Sequence, residues 1–331
     1  MPSGAFLLRR PPGPSVPGGR FHLQVRFLGL RFFIIKTIKY GGIEVKKKVS
    51  FLAVIVILVI ALSVNAGAVF CGDEIKADPA FVIHFFDVGE ADSALVECDG
   101  QYMLIDGGSA GSSRFLYAYL EKYGISYLDY IVCTHAHADH VGGLAGALNC
   151  AEAGTAYAPV TEYDSRAFES FVKYLREQGK GITIPSPGDS FMLGSASVTF
   201  LAPLTADKSN TNNTSLVLRI VYGETSFLFA ADAEVEEEED LLESGAELRS
   251  TLLKVGHHGS DTSSSQAFID AVSPEYAVIS VGEENSHGHP TSEVLDRLSV
   301  CETIFRTDLN GEITCRSDGS VLTFETEKNA A

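Results

Sequence analysis

Four side chains of the types that bind metal ions lie close together in the sequence, at His135, His137, Asp139 and His140. They follow an apolar segment, 129–133, whose composition predicts a buried strand. Residues two positions apart on an extended backbone point to the same side, so the first two histidines can share one ion. A turn into a helix then directs the last two at a neighbouring ion. Imidazole and carboxylate groups suit zinc, iron or manganese, so the segment predicts a metal centre.

Three further motifs contain residues of the same types. They are 104–108 (LIDGG), 229–232 (FAAD) and 255–260 (VGHHGS). Together with the segment 135–140, and in this order, they resemble the signature of the metallo-β-lactamase fold. The resemblance implies that Asp106 braces the metal-binding loop, that Asp232 bridges two ions and that His257 is a ligand.

A finer resemblance is to the metallo-β-lactamase-like domain of ComEC-type competence proteins and its stand-alone relatives. The motifs that carry it are 87–93 (DVGEADS), 212–216 (NNTSL), 254–260 (KVGHHGS) and 288–290 (GHP). Secreted phosphorylcholine esterases share several of them. The resemblance covers residues 81–325 and implies two divalent metal ions, zinc or manganese.

The sequence departs from the wider family at one ligand. Metallo-β-lactamase enzymes usually place a ligand histidine between the first motif and the bridging aspartate, whereas no histidine occurs here from 141 to 256. The ComEC-like branch has Asn-Asn-x-Ser in that place, as at 212–215 here. The resemblance then implies a first ion held by His135, His137, Asp232 and water, and a second ion held by Asp139, His140, Asp232 and His257. The first site is thus one protein ligand short.

Two adjacent cations lower the pKa of a bound water and clamp the oxygens of the group under attack, which suits a phosphodiester. Asp139 can also orient the attacking water. Asn213 or Ser215 can hydrogen-bond a metal-bound water or a substrate oxygen. These three residues are therefore candidates for catalysis beyond the ligand set.

Other candidates come from the two late motifs. Lys254 or His289 can assist the leaving group or hold a phosphate. His258 is a further catalytic candidate, either as a ligand or as a residue that supports one. The Gly-His-Pro loop at 288–290 is either part of the site or only a rigid turn.

From residue 80 onward the chain alternates short apolar strands with helical segments. β-branched and aromatic residues predict strands such as 81–86, and apolar residues three and four positions apart predict a helix over 165–178 with one buried face. The helix 234–243 is almost entirely acidic and is expected to present a solvated face. This pattern predicts an α+β fold with one domain over 80–326. With the resemblance, it indicates a four-layer αββα sandwich of two mixed β-sheets covered by helices.

The first part of the chain has the composition of a targeting segment. Three lysines precede an apolar run at 51–64, and small residues follow it, so 45–68 is interpreted as a secretory signal peptide. The alternative is an N-terminal membrane anchor, in which 49–70 spans the bilayer uncleaved. Either outcome places the remainder outside the cytoplasm. Residues 1–44 show no periodicity and are interpreted as an upstream extension, with translation starting at Val45. The alternative is that they form a genuine, long N-terminal region of the signal peptide.

The charge is unevenly distributed along the chain. Residues 1–50 contain ten basic residues and one acidic residue, so the remainder has 15 basic and 42 acidic residues and a net charge of −27. Such a domain repels polyanions, which disfavours nucleic acid as a partner unless metal ions provide local positive charge.

We therefore expect an extracytoplasmic metal-dependent hydrolase that cleaves a small or polymeric phosphodiester with a metal-activated hydroxide. One alternative is an ester or lactone hydrolase that uses the same site. Another is a non-catalytic accessory protein that retains the fold. The sequence implies no protein partner, and it implies membrane contact only through 49–70 if that segment is not cleaved.

Overall fold

The fold is that of a computed structural model, which describes residues 22–28, 31–40, 43–50, 80–204, 209–283 and 285–328. The chain divides into two units, Met1–Lys76 and Ala77–Ala331. The apolar run at 51–64, and with it most of the expected signal or anchor segment, lies outside the described residues. Among the helices of the described ranges, none combines the length and hydropathy needed to cross a membrane.

The first unit contains an antiparallel sheet of three strands: β1 (His22–Leu28), β2 (Arg31–Tyr40) and β3 (Ile43–Ser50). The sequence predicts no element before residue 45, so these strands are a difference from expectation. β2 is rich in the β-branched and aromatic residues that favour strands even without a regular alternation. β3 runs across the expected start at Val45.

The second unit contains two β-sheets within the described residues. Their strands are, in chain order, β4 (Phe81–Phe85), β5 (Ala94–Cys98), β6 (Gln101–Ile105), β7 (Tyr127–Val132), β8 (Glu152–Tyr157), β9 (Ile182–Thr183), β10 (Ser190–Leu193), β11 (Ala196–Phe200), β12 (Leu218–Tyr222), β13 (Thr225–Phe229), β14 (Leu252–Lys254), β15 (Tyr276–Ile279), β16 (Thr303–Arg306), β17 (Ile313–Ser317) and β18 (Leu322–Thr326).

The first of these sheets has the strand order β18-β17-β4-β5-β6-β7-β8-β9, and the second has the order β10-β11-β12-β13-β14-β15-β16. Both sheets are mixed, because antiparallel pairs such as β4 with β5 lie beside parallel pairs such as β6 with β7. In the second sheet β13, β14 and β15 are parallel neighbours. The carboxyl ends of parallel strands meet at one edge of a sheet, and the loops that leave this edge carry the candidate site.

Apolar side chains from both sheets fill the space between them. Successive residues of a strand point to opposite faces. In β6, Met103 and Ile105 therefore face the other sheet, while Leu104 between them faces the outer helices. The rings of Phe81 and Phe227 stack across the interface between the sheets with centroids 4.8 Å apart.

Helices cover the outer face of each sheet. They are α1 (Ser113–Tyr123), α2 (Ala138–Val141), α3 (Leu144–Cys150), α4 (Arg166–Glu177), α5 (Val235–Ser244), α6 (Gln266–Val272), α7 (Ser292–Arg297) and α8 (Thr307–Asn310). Side chains of α1, α3 and α4 join the core outside the first sheet, and those of α5, α6 and α7 join the core outside the second. The expected four-layer αββα sandwich is thereby confirmed.

Helix α4 shows why the predicted pattern folds as expected. Ser165 precedes the helix, and its side-chain oxygen accepts a hydrogen bond from the Phe168 N–H at 3.2 Å. Such a cap satisfies one of the free donors at a helix start. Phe168, Phe171 and Leu175 are all buried, because positions three and four apart share one face of a helix.

The acidic helix α5 departs from the expectation of a solvated face, because Glu237 and Glu238 are 1% and 0% exposed. Glu237 accepts a hydrogen bond from the Leu204 N–H at 2.7 Å. Glu238 accepts hydrogen bonds from the backbone N–H groups of Ser264 and Ser265. These carboxylates satisfy donors in distant loops, and neither loop can be identified from the acidic run itself.

Candidate metal centre

The segment 135–140 lies where β7 has ended and α2 begins, as the sequence predicts. His135 and His140 are fully buried. His137 has an extended backbone just before α2, and its Nδ1 atom lies 3.1 Å from His135 Nε2. The two rings therefore converge, as expected for residues two positions apart on an extended chain.

Asp232, in the loop after β13, lies between the two halves of this segment. Its Oδ2 atom is 3.7 Å from His135 Nε2, and its Oδ1 atom is 3.2 Å from His140 Nε2. The residue is 1% exposed. One buried carboxylate thus presents a separate oxygen to each half, which is the arrangement of a bridging ligand.

The late histidine motif places His258, rather than His257, beside the second half of the segment. His258 Nε2 lies 3.4 Å from Asp139 Oδ2 and 4.0 Å from Asp232 Oδ1. His257 Nε2 instead lies 3.8 Å from Asp232 Oδ2, the oxygen that faces His135. His257 and His258 have left-handed φ angles of 46° and 53°. This tight turn directs the His258 ring into the buried cluster. The side chains beside Asp139 and His140 thus include His258, whereas the resemblance implies His257 there.

Within the described residues, three groups of candidate ligands have atoms that lie within 4.8 Å of one another. One is Asp92, Asp106 and His140, and the other two share Asp232. Of these two, the first group is His135, His137 and Asp232, and the second is Asp139, His140, Asp232 and His258.

Three buried atoms of the second group support metal binding, because within the described part of the chain none of them makes a hydrogen bond of suitable geometry, although two of them face each other at 3.2 Å. They are His140 Nε2, Asp232 Oδ1 and His258 Nε2. A buried polar atom without a partner is costly, whereas one divalent cation can coordinate all three. Nitrogen and carboxylate oxygen are also ligands that zinc accepts. The residues therefore fit a metal ion.

The charges in the cluster shift several pKa values. Burial raises the pKa of Asp232, but His140 and His258 beside it hold that pKa well below its usual range. Burial lowers the pKa of His258, but Asp232 and Asp139 raise it to about 9. Burial and the neighbouring His140 lower the pKa of His135 well below its usual value. His135 is therefore neutral near pH 7 and has a lone pair available for a metal.

Asp106, which follows β6, holds one of these ligands in place. Its Oδ2 atom lies 2.8 Å from His140 Nδ1 and accepts a hydrogen bond from Thr134 Oγ1 at 2.6 Å. Its Oδ1 atom accepts a hydrogen bond from the Thr134 N–H at 2.8 Å. These contacts fix the His140 ring with Nε2 facing Asp232, as the carboxylate partner of a metal-ligating histidine would.

Glycines allow the Asp106 loop to lie directly against the start of the helical segment. The Gly107 N–H donates a hydrogen bond to the His140 carbonyl at 2.7 Å. A Cβ atom placed on Gly143 would collide with the carbonyl group of Gly107. No larger residue fits this contact without moving the two loops apart.

Lys254 is buried near the candidate ligands, and its ammonium group contacts Asp92 rather than any of them. It is 3% exposed, and its Nζ atom donates hydrogen bonds to Asp92 Oδ2 at 2.8 Å and to the Val255 carbonyl at 3.2 Å. Asp92 Oδ1 in turn lies 3.5 Å from His258 Nδ1. The expectation that Lys254 acts on the leaving group is therefore corrected, because its ammonium group is buried and paired with a carboxylate.

Asn213 and Ser215 also differ from expectation. The Ser215 side-chain oxygen accepts a hydrogen bond from the Asp232 N–H at 3.2 Å. Asn213 Oδ1 accepts a hydrogen bond from the Glu234 N–H at 2.9 Å, and its Nδ2 donates to Glu236 Oε2 at 3.3 Å. Both side chains thus hold the loop that carries Asp232.

His289 lies beside His257 at the rim of the cluster, with ring centroids 5.9 Å apart. Its Nδ1 atom is 3.1 Å from Glu90 Oε1, and Asn285 bonds both its N–H and its carbonyl. Burial lowers the pKa of His289, and Glu90 partly opposes this effect. The loop at 288–290 therefore adjoins the site. The sequence marks Glu90 as part of a motif but assigns it no role.

Three other contacts were missed by reasoning from the sequence. His257 Nδ1 lies 3.2 Å from Thr262 Oγ1 and 3.5 Å from Glu234 Oε1. His258 Nδ1 lies 2.9 Å from the carbonyl of Ser280. These partners come from separate loops, and no residue pattern connects them to the histidines.

Two mixed sheets covered by helices, with a shared carboxylate between two groups of nitrogen and oxygen ligands, define a metal-binding αββα protein. The family model described as "Metallo-beta-lactamase superfamily" matches residues 86–283. This range contains both ligand groups. The chain belongs to the metallo-beta-lactamase superfamily.

Curated relatives include competence proteins, which confirms the finer resemblance. ComE operon protein 3 of Bacillus subtilis (strain 168) is 30% identical over 261 residues, which cover 73% of this chain and 34% of that protein. Competence protein ComA of Neisseria gonorrhoeae is 32% identical over 256 residues, which cover 76% of this chain and 35% of that protein. The chain thus spans about a third of the length of these relatives.

Two solved structures are similar to this chain at low sequence identity. CmlA, a diiron beta-hydroxylase from Streptomyces venezuelae, is 18% identical and matches 73% of this chain and 55% of its own with a TM-score of 0.47. The metallo-beta-lactamase fold protein YhfI from Bacillus subtilis is 14% identical and matches 68% of this chain and 95% of its own with a TM-score of 0.45. At this similarity they add no functional information.

Proposed function

We propose that this chain is a phosphodiesterase that uses two metal ions. The position of Asp232 carries the proposal, because one of its carboxylate oxygens faces His135 and the other faces His140. Two cations that share a carboxylate can act on the attacking and the leaving oxygen of one phosphodiester. The orphaned nitrogen and oxygen atoms of the second group support the presence of at least one cation.

Bound divalent cations, zinc or manganese, would supply Lewis acidity and a hydroxide near neutral pH. The chain's own residues prepare the ligands. Asp106 and the Ser280 carbonyl hold the Nδ1 atoms of His140 and His258, so that each Nε2 atom faces Asp232. The Asp139 side chain is 38% exposed, more than any other member of the second group, and can accept a hydrogen bond from the attacking water.

Two substrate classes follow from different observations. One relative is named as a competence protein and another, in Haemophilus influenzae, as Recombination protein 2, which supports a nucleic-acid phosphodiester such as single-stranded DNA. The net charge of −27 over residues 51–331 supports a small phosphodiester such as a choline-phosphate ester. An extracytoplasmic location is part of the proposal and is supported by the composition of 45–68.

The test is hydrolysis by the purified chain in the presence of manganese or zinc alone. The substrates are bis-p-nitrophenyl phosphate, single-stranded DNA, a choline-phosphate ester and a lactone. His137→Ala removes a candidate ligand and is expected to lower phosphodiester turnover by at least about tenfold, with an unchanged circular dichroism spectrum. His287→Ala, at an exposed position, is the matched control and keeps full turnover.

Three other results would contradict the proposal. Unchanged turnover in His137→Ala would remove this histidine from the site. Hydrolysis of the lactone alone would favour the ester or lactone hydrolase. Bound metal without hydrolysis of any substrate in the panel would favour a non-catalytic accessory protein.

A further inference from the structure

The first ligand group has one member fewer than the second, and no histidine from 141 to 256 is available to complete it. We propose that His257 is the missing ligand. The two adjacent histidines of the late motif then serve different ions, His257 the first and His258 the second.

The distances around Asp232 support this division. His257 Nε2 lies 3.8 Å from Asp232 Oδ2, and His135 Nε2 lies 3.7 Å from the same oxygen. Ligand atoms of one tetrahedral zinc ion, with bonds of about 2.1 Å, are about 3.4 Å apart. Both nitrogens thus approach the same carboxylate oxygen, although His257 lies outside the set of ligand atoms within 4.8 Å of one another that His135, His137 and Asp232 form. His258 Nε2 approaches the other oxygen, Oδ1, at 4.0 Å.

The backbone explains how neighbouring residues reach two ions. His257 and His258 both have left-handed φ angles, a conformation that non-glycine residues adopt rarely and that often marks a functional site. The two ring centroids are 6.2 Å apart, and the two Nε2 atoms face different oxygens of Asp232.

The contacts of the other ring nitrogen of His257 are those of a metal ligand. Nδ1 lies 3.2 Å from Thr262 Oγ1 and 3.5 Å from Glu234 Oε1. Metal-bound histidines commonly direct their second nitrogen at a carboxylate or another acceptor, which leaves the first nitrogen for the metal. Glu234 is itself held by a 2.9 Å hydrogen bond from Asn212 Nδ2. The His257 side chain is 23% exposed, so it has room to close the remaining distance.

The proposal rests on the metal centre of the proposed function but not on its substrate, so counting bound metal tests it. The purified chain is stripped with a chelator and titrated with Mn²⁺ or Zn²⁺ alone. We expect two ions per chain in the wild type. In His257→Ala one ion remains unchanged, and the affinity for the other falls by at least about tenfold.

Paired substitutions identify the ion that His257 serves. The double variant His137→Ala with His257→Ala removes two ligands of one ion, so it is expected to keep the other ion at wild-type affinity. The double variant His257→Ala with His258→Ala removes a ligand from each ion, so both are expected to weaken. The opposite pattern would assign His257 to the second ion and overturn the proposal.

His289→Ala is the matched control, because this ring packs beside His257 while its Nδ1 atom faces Glu90. It is expected to keep both ions. Unchanged affinity for two ions in His257→Ala would overturn the proposal, as would a wild-type chain that saturates with one ion. Hydrolysis is measured separately. A chain that shows the expected metal pattern but cleaves no phosphodiester supports the ligand assignment and contradicts the proposed function.

Discussion

His258 Nε2 lies 3.4 Å from Asp139 Oδ2. This contact links the loop after β14 to helix α2. Burial lowers the pKa of His258, but Asp232 and Asp139 raise it to about 9. Because this is above the value of about 6.5 in an unfolded chain, the charged ring stabilises the metal-free fold below about pH 6.5. That contribution is lost as the pH rises through about 9.

We therefore expect the melting temperature of the metal-free protein to fall between about pH 6.5 and 9. Metal affinity should rise over the same interval, because an ion bound by His258 must displace its proton. Calorimetric melts and metal titrations at several pH values check both trends. A metal affinity that does not change with pH would contradict a protonated His258 in the metal-free protein.

Asp232→Asn is expected to weaken both ions at once. The substitution keeps the shape of the side chain but removes the charge of the carboxylate whose oxygens face His135 and His140. Metal analysis should show no bound ion at a concentration that saturates the wild type with two. Loss of only one ion would show that Asp232 does not bridge.

Asp106→Asn is expected to lower the affinity for the ion held by His140 by about 10- to 100-fold, because it removes the charge that fixes this ring. Metal titration measures the change. Asp129→Asn is a matched control, since Asp129 Oδ2 accepts a hydrogen bond from the Tyr102 N–H at 2.9 Å and belongs to neither ligand group. Equal losses in the two variants would indicate a general disturbance of the sheet.

Lys254→Met is expected to lower the free energy of unfolding by about 3–5 kcal/mol, because it leaves Asp92 buried without its cation. Adding Asp92→Asn removes the second charge and should recover a substantial part of this loss. Urea denaturation of the wild type, both single variants and the double variant measures the coupling. Additive losses would show that the 2.8 Å contact contributes little to stability.

Gly143→Ala is expected to destabilise the fold by about 1–3 kcal/mol or more, because the added methyl group collides with the Gly107 carbonyl. Gly181→Ala is the control, since a Cβ there meets no atom within 4 Å, and it should change stability by less than about 0.5 kcal/mol. Thermal melts of both variants check the contrast. Equal melting temperatures would indicate that the loops separate at little cost.

The sequence predicts the layers where burial follows a regular period. The helix expected at 165–178 is observed at Arg166–Glu177, because its apolar stripe and its cap are both local features. The strands Glu152–Tyr157 and Ser190–Leu193 are missed. The first is built largely from small residues, and the second is only partly buried, so neither has a strong apolar signal.

In the site, too, the sequence predicts the contacts that depend on neighbouring residues but not those that depend on distant loops. The ligands at 135–140 follow from side-chain directions along a few residues. The sides to which His257 and His258 point depend on left-handed backbone angles that their residue types do not indicate. Lys254 beside a histidine motif suggests a group that meets substrate, but its partner Asp92 comes from a distant loop and keeps it buried.

The two ligand groups draw on both halves of the sandwich, since His140 follows a strand of the first sheet and Asp232 and His258 follow strands of the second. A bound ion would act as a removable cross-link between the sheets. Its contribution to native-state stability grows with the logarithm of the free metal concentration. The durability of the folded protein, as well as its turnover, would then depend on the metal supply of its surroundings.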